Sequence, residues 1–222
     1  MKVLKIAMTS PTASFKHPFF HGDLQPSLPI PPFSTIFGLL SAVRGEILTS
    51  MDQTGKFTFF FTSETAQYDL ETIWKPDLTM KTSISHISNP IKREFLYNSH
   101  LTLYLTDLSW KKDFSVPYYQ ITLGRSQDIA SIQSLDTITL QERDSGILSN
   151  CWIPKENIDR LNLVKNFILY RVPVKIETGI PRIIQESELM IYPLQPIDYS
   201  GPCWLDPLDN TTLIFPVNLD GN

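Results

Sequence analysis

The chain has 222 residues, 42% of them hydrophobic and 11% aromatic, which is enough for the core of one domain or of one domain with an appendage. Its two cysteines exclude a disulfide framework and its short apolar runs exclude a membrane-spanning helix, so we expect a reduced, cytoplasmic protein that contacts no membrane. The net charge is −4, with +2 over residues 1–125 and −6 over residues 126–222. This charge argues against non-specific coating of long duplexes, but it is compatible with a confined nucleic-acid contact on a local basic face.

The first predicted elements are a strand and a long connector. Residues 3–9 alternate in polarity, which indicates a strand with one strongly apolar face rather than a signal peptide. The connector that follows contains prolines at positions 11, 18, 26, 29, 31 and 32. Proline fixes φ and removes backbone donors, and long loops inside compact domains are usually functional or disordered. Because regular elements flank this connector, we predict that the connector carries part of a functional site.

A helix is predicted next, with Ser34 or Thr35 as its N-cap. Its apolar positions share one face at helical spacing: Ile36, Leu39, Leu40, Val43 and Ile47. Gly38 inside this helix costs up to about 1 kcal/mol relative to alanine. The expected compensation is close packing of the helix against a sheet or a loop.

The remaining elements are strands and one unusual insertion. Strands are predicted at 57–62 and 101–105, and further strands at 167–174, 189–192 and 213–217. Residues 64–93 are polar and aperiodic, and we interpret them as an extended protrusion, a long irregular hairpin. The order strand, helix, strand, strand predicts a split β-α-β, ferredoxin-like unit over residues 1–135, followed by a smaller β-rich region over 136–222 packed on it.

Four motifs give the sequence a family resemblance: Ala-Ser-Phe-Lys at 13–16, Pro-Pro-x-Ser-Thr-x-x-Gly-Leu-Leu at 31–40, Arg-Glu-Phe-Leu at 93–96 and Leu-Gly-Arg-Ser at 123–126. In this order they resemble the CRISPR-associated "Cas five" family. The resemblance implies an α+β RAMP protein, a modified RNA-recognition (ferredoxin-like) domain with a protruding thumb, matched here by 64–93, and a small C-terminal β-rich region.

The resemblance also implies a function. Such a protein is a non-catalytic RNA-binding subunit at the foot of a type I Cascade complex, where it holds the 5′ handle of crRNA. Its implied partners are the backbone (Cas seven) and large (Cas eight type) subunits, and target DNA reached through the complex in antiviral defence. The aromatic pattern of ordinary RNA-recognition domains is missing, so base stacking on the open sheet face is not expected. The subtype stays open among I-B, I-A and I-D.

The predicted RNA contacts combine motif positions with local chemistry. Lys16 and Arg125 are expected to meet phosphates, Arg125 through its planar fork and through a turn whose amides can surround an anion. Arg44 can instead complement the helix dipole, and Lys92 or Arg93 can pair with Glu94. Phe15 is expected to anchor its loop by packing. The full predicted set is Lys16, His17, Arg44, Trp74, Lys81, Lys92, Arg93, Gly124, Arg125 and Ser126.

Enzymatic activity is not expected, although one alternative is open. Type I-C relatives of the family cleave pre-crRNA without a metal by activating a ribose 2′-OH, which needs a general base and a cation. The histidines, at positions 17, 21, 86 and 100, form no catalytic unit, and Lys16-His17 is the nearest to one. No cluster of acidic residues indicates a metal, and no cofactor is implied. A metal-independent endoribonuclease is therefore the alternative, and a β-rich scaffold without an RNA role is a third hypothesis.

Overall fold

The structure, a computed structural model, describes residues 1–20, 22–77, 85–162, 166–177 and 183–215, and only the backbone of residues 73–77 and 85–89. The strands are β1 Lys2–Ala13, β2 Leu24–Gln25, β3 Phe57–Thr62, β4 Thr65–Asp77, β5 Ser85–Leu105, β6 Ser131–Thr139, β7 Gln141–Leu148, β8 Ile153–Pro154, β9 Phe167–Ile176, β10 Ile184–Pro193, β11 Ile197–Asp206 and β12 Thr211–Leu213. The helices are α1 Phe33–Arg44, α2 Met51–Thr54 and α3 Trp110–Ser115, with a 3₁₀ turn at Lys155–Arg160. In the described part of the chain, no helix has the length and hydropathy needed to span a bilayer.

The principal sheet has the ferredoxin-like order β3-β5-β1-β6, in which all neighbouring pairs are antiparallel. Helix α1 connects β1 to β3 and helix α3 connects β5 to β6, as in a split β-α-β unit. The predicted α+β, ferredoxin-like fold class is therefore confirmed. The predicted domain boundary between residues 135 and 136 falls inside β6, the fourth strand of this sheet.

The main core lies between the helices and one face of the sheet. Leu4, Ile6 and Met8 of β1 point into it, because alternate residues of a strand share a face. The first four members of the predicted helical stripe are also buried there. The fifth, Ile47, is 66% exposed, because the helix ends at Arg44 and the chain turns at Gly45, whose φ is +79°.

Two predictions about α1 are wrong. The N-cap is Pro32, so Ser34 and Thr35 lie within the first turn and do not cap the helix with their side chains. Gly38 is exposed, and a Cβ placed on it would meet no other atom within 4 Å. The glycine thus leaves open space beside the helix and does not compensate its cost by close packing inside the protein.

The C-terminal region packs on both sides of this first unit. Its sheet β8-β10-β9 contributes Val172, Val174 and Met190 to the main core. Trp152, just before β8, is also buried there, and its indole donates a hydrogen bond of 2.7 Å to the carbonyl oxygen of Pro31. Its other sheet, β12-β11-β7, covers part of the sheet face opposite the helices, in a smaller core shared by Val3, Tyr104, Ile138, Leu140 and Leu213. That face, which carries RNA in ordinary RNA-recognition domains, is therefore partly occupied by protein.

A buried ion pair stabilises the contact between the β12-β11-β7 sheet and the principal sheet. The Lys5 ammonium on β1 lies 2.6 Å from carboxylate oxygens of both Asp206 and Asp209, and the Tyr104 hydroxyl donates to Asp206 at 2.9 Å. Burial alone would raise the pKa of Asp206, but hydrogen bonds from Lys5, the Leu208 amide and Tyr104 lower it below the usual range. Burial opposes the charge on Lys5, whereas its two carboxylate partners raise its pKa on balance.

The Asp206→Asn variant should lose stability in a pH-dependent way. Removing the fully buried carboxylate should cost about 3 kcal/mol at pH 7, because the buried Lys5 ammonium then keeps only the half-exposed Asp209 as a partner. Since the folded-state pKa of Asp206 is depressed, its contribution is present above the unfolded-state value, about 4, and is lost as the pH falls through the folded-state value.

Urea unfolding of parent and variant between pH 2.5 and 7 measures this effect. The difference in unfolding free energy should be constant from pH 5 to 7 and shrink below about pH 4. Asp159→Asn, at an exposed aspartate, is the matched control and should behave like the parent. A difference that does not change with pH would contradict the assignment.

The predicted protrusion is a hairpin of β4 and β5. Pairing runs from Thr65–Tyr97 to Asp77–Ser85 without any register shift, so the ribbon is regular and the predicted irregularity is wrong. Strand β2 pairs with β5 only at Lys92 and Arg93, and beyond that point β5 pairs with β4 alone. At about 3.3 Å per residue, β4 is roughly 40 Å long. We call residues 72–90 the thumb; its described strand residues, 72–77 and 85–90, pair only with each other.

Candidate nucleic-acid interface

Three of the four sequence motifs meet in space. Gly124 has φ +112°, and a Cβ on it would overlap the carbonyl oxygen of Ser14. The Ser14 amide donates to the carbonyl oxygen of Leu123 at 3.1 Å, and its hydroxyl donates to that of Glu94 at 2.8 Å. Glycine is therefore required at 124, because only a residue without a side chain permits this approach of the backbones.

Beside this junction, a groove follows the exposed edge of α1. It consists of two adjoining depressions, of about 330 and 370 Å³, which share Ser34, Gly38 and Ile176. One end includes Lys175 at the end of β9, and the other includes Gly124 and the turn that follows it. We call this feature the α1 groove.

The α1 groove is lined by unengaged hydroxyl groups. The side chains of Ser34, Thr35, Thr122 and Ser126 border its second depression, and none of them makes a hydrogen bond within the described residues. Together with the open space at Gly38, they offer donors and acceptors to a polar chain that lies along the helix. Of these residues only Ser126 was predicted as a site residue. Ser34 and Thr35, four and three residues before a helical glycine, resemble an N-cap in the sequence, and Thr122 carries no signal.

Two lysines supply positive charge near the groove. Lys16 is exposed and follows the Ser14–Gly124 junction by two residues, and Lys175 lines the first depression. Neither forms an ion pair within the part of the chain that the structure describes. Glu177, also on the groove, partly offsets Lys175. Lys175 was not predicted, because a single cation at the end of a strand carries no pattern.

Arg125, predicted to meet a phosphate, is instead engaged inside the protein. Its guanidinium donates to both carboxylate oxygens of Asp128, at 3.0 and 2.9 Å, and to Glu71 of β4 at 2.6 Å. The side chain is only 9% exposed and lies over the ring of Phe95. All three nitrogens of the fork donate to carboxylates, so Arg125 clamps the 124–128 turn to the base of the thumb, and its phosphate contact stays a prediction.

We expect Arg125→Ala to destabilise the protein by about 3 kcal/mol, because it leaves Asp128, which is fully buried, without its cation. Thermal and urea unfolding measure the loss. Lys155→Ala, at an exposed lysine, serves as the control for removing a positive charge. If Arg125→Ala lowers RNA affinity and leaves the unfolding midpoint unchanged, the clamp is wrong and the phosphate assignment stands.

The other predicted arginines are also engaged. Arg44 pairs with Asp113 at 3.0 Å and lies 3.6 Å from the centre of the Trp110 ring, so it joins α1 to α3. Arg93 Nε lies 3.2 Å from the Glu71 carboxylate, an ion pair at the base of the thumb. The alternative offered from the sequence, an ion pair of Lys92 or Arg93 with Glu94, is not formed within the described residues; the Glu94 carboxylate accepts a hydrogen bond from the Ser27 amide.

The remaining residues singled out in the sequence differ in exposure, and some lie outside the described part of the chain. Lys92 is exposed, with its ammonium 4.6 Å from the centre of the Tyr68 ring. Lys81 and the side chain of Trp74 lie outside the described residues, as do His21 and the side chain of His86. Phe15 is buried against Phe61, which confirms its predicted role as a packing anchor.

His17 lies in an aromatic cluster. The centre of its ring is 4.9 Å from that of Phe20 and 5.9 Å from that of Tyr170 on β9. Burial lowers the pKa of His17, which favours the neutral imidazole at neutral pH. Burial and the nearby Glu94 charge raise the pKa of Tyr170, so its hydroxyl keeps its proton. Among the described residues, no group of three or more His, Cys, Asp or Glu side chains is arranged to hold a metal ion.

Comparison with known proteins finds solved structures of similar fold. No protein-family model and no curated protein sequence matches the chain. Solved structures do: a chain of a CRISPR RNA-guided surveillance complex superposes with a TM-score of 0.56 at 14% identity, covering 90% of this chain and 91% of that one. A CRISPR protein from Archaeoglobus fulgidus gives 0.55 at 10% identity over 97% and 99%.

A third similar structure comes from a type III-B Cmr-beta complex bound to cognate target RNA and AMPPnP, with a TM-score of 0.54 at 11% identity, covering 90% of this chain and 86% of that one. These likenesses extend over almost the whole chain and place its architecture among the RAMP-like folds of CRISPR-associated proteins. At such low identities they establish the fold alone.

Proposed function

We propose that this protein is a non-catalytic RNA-binding subunit of a CRISPR ribonucleoprotein, in which the α1 groove holds the 5′ handle of crRNA. The observation that carries the proposal is the groove itself: unengaged hydroxyls and an open glycine along one helix, at the junction of the family-like motifs. The likeness of the whole fold to chains of RNA-guided CRISPR complexes supports it.

The groove suits the backbone of a single RNA strand. Serine and threonine hydroxyls donate to phosphate oxygens and accept from ribose 2′-OH groups, contacts that position a strand without reading its bases. Gly38 allows the strand to approach the helix closely. Lys16 and Lys175 would neutralise about two phosphates, so binding should depend only weakly on salt, with a slope of roughly 0.7 per phosphate.

Within the complex, the proposed role is that of the Cas five subunit. In this role the protein occupies the foot of a type I Cascade, uses the thumb to contact the backbone subunit, and anchors the large subunit for guide-directed DNA targeting in antiviral defence in the cytoplasm. The type I assignment depends on the four sequence motifs, since the similar solved structures include a type III-B complex.

Sequencing the RNA that co-purifies with the tagged protein from its native cells tests the proposal. We expect short RNAs that share one 5′ segment and differ downstream, as crRNAs do. Purification of the Gly38→Leu variant in parallel controls for RNA that binds elsewhere on the surface. RNA without a common 5′ segment, or no RNA, would count against the handle-binding role.

One observation favours a second function, metal-independent cleavage of precursor RNA. The structure brings His17, with a lowered pKa, beside Tyr170, with a raised pKa, next to the exposed Lys16. A neutral imidazole can accept the 2′-OH proton and a cation can stabilise the developing charge. Incubation with repeat RNA in EDTA decides the question: cleavage at one site, lost in His17→Ala, supports this function.

A further inference from the structure

An exposed pair of tyrosines follows helix α3. Tyr118 is 69% exposed and Tyr119 is 59% exposed, and their ring centres are 4.7 Å apart in an edge-to-face arrangement. They border a depression of about 490 Å³ between the 114–121 segment and β6. Exposed aromatic side chains that cluster in this way mark a binding surface.

The local backbone holds this pair in place. The Tyr118 amide donates to the carbonyl oxygen of Val43, and the Tyr119 amide donates to that of Ala42, both at 2.9 Å, so the segment caps the end of α1. The Tyr118 ring rests on Gly45, where a Cβ would lie 2.7 Å from its Cγ. One side of the ring is thus seated on the glycine while most of the side chain is open to solvent. We call Tyr118 and Tyr119 the tyrosine platform.

Two exposed lysines lie on the helix that precedes the platform. Lys111 and Lys112 on α3 are exposed and form no ion pair within the described residues. Lys111 lies one helical turn before Ser115, which lines the depression, and Asp113 is already paired with Arg44. No acidic residue lines the depression. Cations beside solvent-facing aromatic rings are the combination that binds single-stranded nucleic acid, through phosphate contacts and base stacking.

The platform adjoins the α1 groove. Ala42, whose carbonyl accepts the Tyr119 amide, also lines the groove, and the consecutive residues Ile121 and Thr122 line the depression and the groove respectively. A strand that leaves the groove at this end therefore reaches the tyrosines next. The two features are therefore neighbours on the surface.

We propose that the tyrosine platform stacks one or two bases of the single-stranded RNA that leaves the α1 groove, with Lys111 and Lys112 contacting its phosphates. The proposal rests on the proposed function and adds a second contact to it. Charge complementarity favours RNA over a protein partner, because the two lysines find their counter-charges in the phosphates. Stacking on tyrosine tolerates any base, so this contact grips the strand without selecting its sequence.

Photo-crosslinking tests this contact. The probe is a pool of single-stranded 12-nucleotide RNAs of random sequence in which 5-iodouridine replaces uridine, since iodouracil couples on irradiation to an aromatic ring stacked on it. We expect adducts on Tyr118 or Tyr119 by mass spectrometry. In equilibrium binding, Tyr118→Ala/Tyr119→Ala should lose about 10-fold or more in affinity, while Tyr118→Phe/Tyr119→Phe keeps most of it. Val116→Ala, at an exposed neighbour, is the matched control.

The outcomes separate the two proposals. If the pool binds the parent and Gly38→Leu weakens it, but no adduct forms on the tyrosines and the double alanine variant binds normally, the platform is overturned and the groove stands. If the parent does not bind, or Gly38→Leu has no effect, the groove fails and the platform fails with it. A double alanine variant that keeps its RNA affinity but loses a co-purifying protein makes this surface a protein interface and overturns the RNA contact.

Discussion

Replacing Gly38 with leucine is expected to lower RNA affinity by at least 10-fold while the protein stays folded. The side chain would enter the α1 groove, because a Cβ at this position meets no atom of the protein within 4 Å. The same fact predicts no steric cost in the free protein. Removing a glycine from a helix interior should even stabilise the fold, by up to about 1 kcal/mol.

Fluorescence anisotropy with the co-purifying RNA measures the affinity, and thermal unfolding measures the stability. Gly38→Ala should give an intermediate loss of affinity, since it adds a single carbon. Thr137→Leu adds an exposed leucine on β6 outside the groove and should leave binding unchanged. A Gly38→Leu variant that binds RNA like the parent would show that the α1 groove does not bind RNA. A variant that unfolds would support the close packing of Gly38 that the sequence predicts.

The architecture could be predicted from the sequence because its signals are periodic. Alternation in β1 and the helical stripe of α1 each report which face packs in the main core, and the order of the elements restricts the fold to a small set. The order of the elements predicted the ferredoxin-like unit, and the polar, aperiodic stretch at 64–93 predicted the hairpin. The stripe was extended too far, to Ile47, because a helix end depends on Gly45 in a left-handed conformation and not on the apolar repeat.

The functional roles of the charged residues could not be predicted in the same way. Arg125 looks like a phosphate ligand in its turn, but Glu71, 54 residues away along the chain, reaches its guanidinium. Only the pairing of β4 with β5 beside that turn brings the two groups together. Gly38 shows the same limit, since whether a helical glycine faces protein or open space depends on what lies opposite it. Local sequence marks Arg125 and Gly38 as candidate functional residues but does not show which residues they contact in space.

Deleting residues 72–90 and joining Glu71 to Ile91 through an Asn-Gly turn should leave the fold intact. The two residues face each other in the β4–β5 register, so a two-residue turn can close the shortened hairpin. Ile91 stays buried, and Glu71 keeps both Arg93 and Arg125, so the base of the thumb is preserved. Unfolding temperature and RNA affinity should match those of the parent, because the α1 groove is untouched.

Assembly should nevertheless be lost. A two-stranded ribbon is marginally stable by itself, and the thumb has no third strand within the described residues, so contacts with a neighbouring subunit are expected to stabilise it. Tagged parent and deletion proteins, purified from native cells and compared by size-exclusion chromatography and mass spectrometry, measure this directly. The parent should carry RNA and protein subunits, and the deletion protein should carry RNA alone. A deletion protein that still elutes with the full set of subunits makes the thumb dispensable, whereas one that does not fold makes it part of the core.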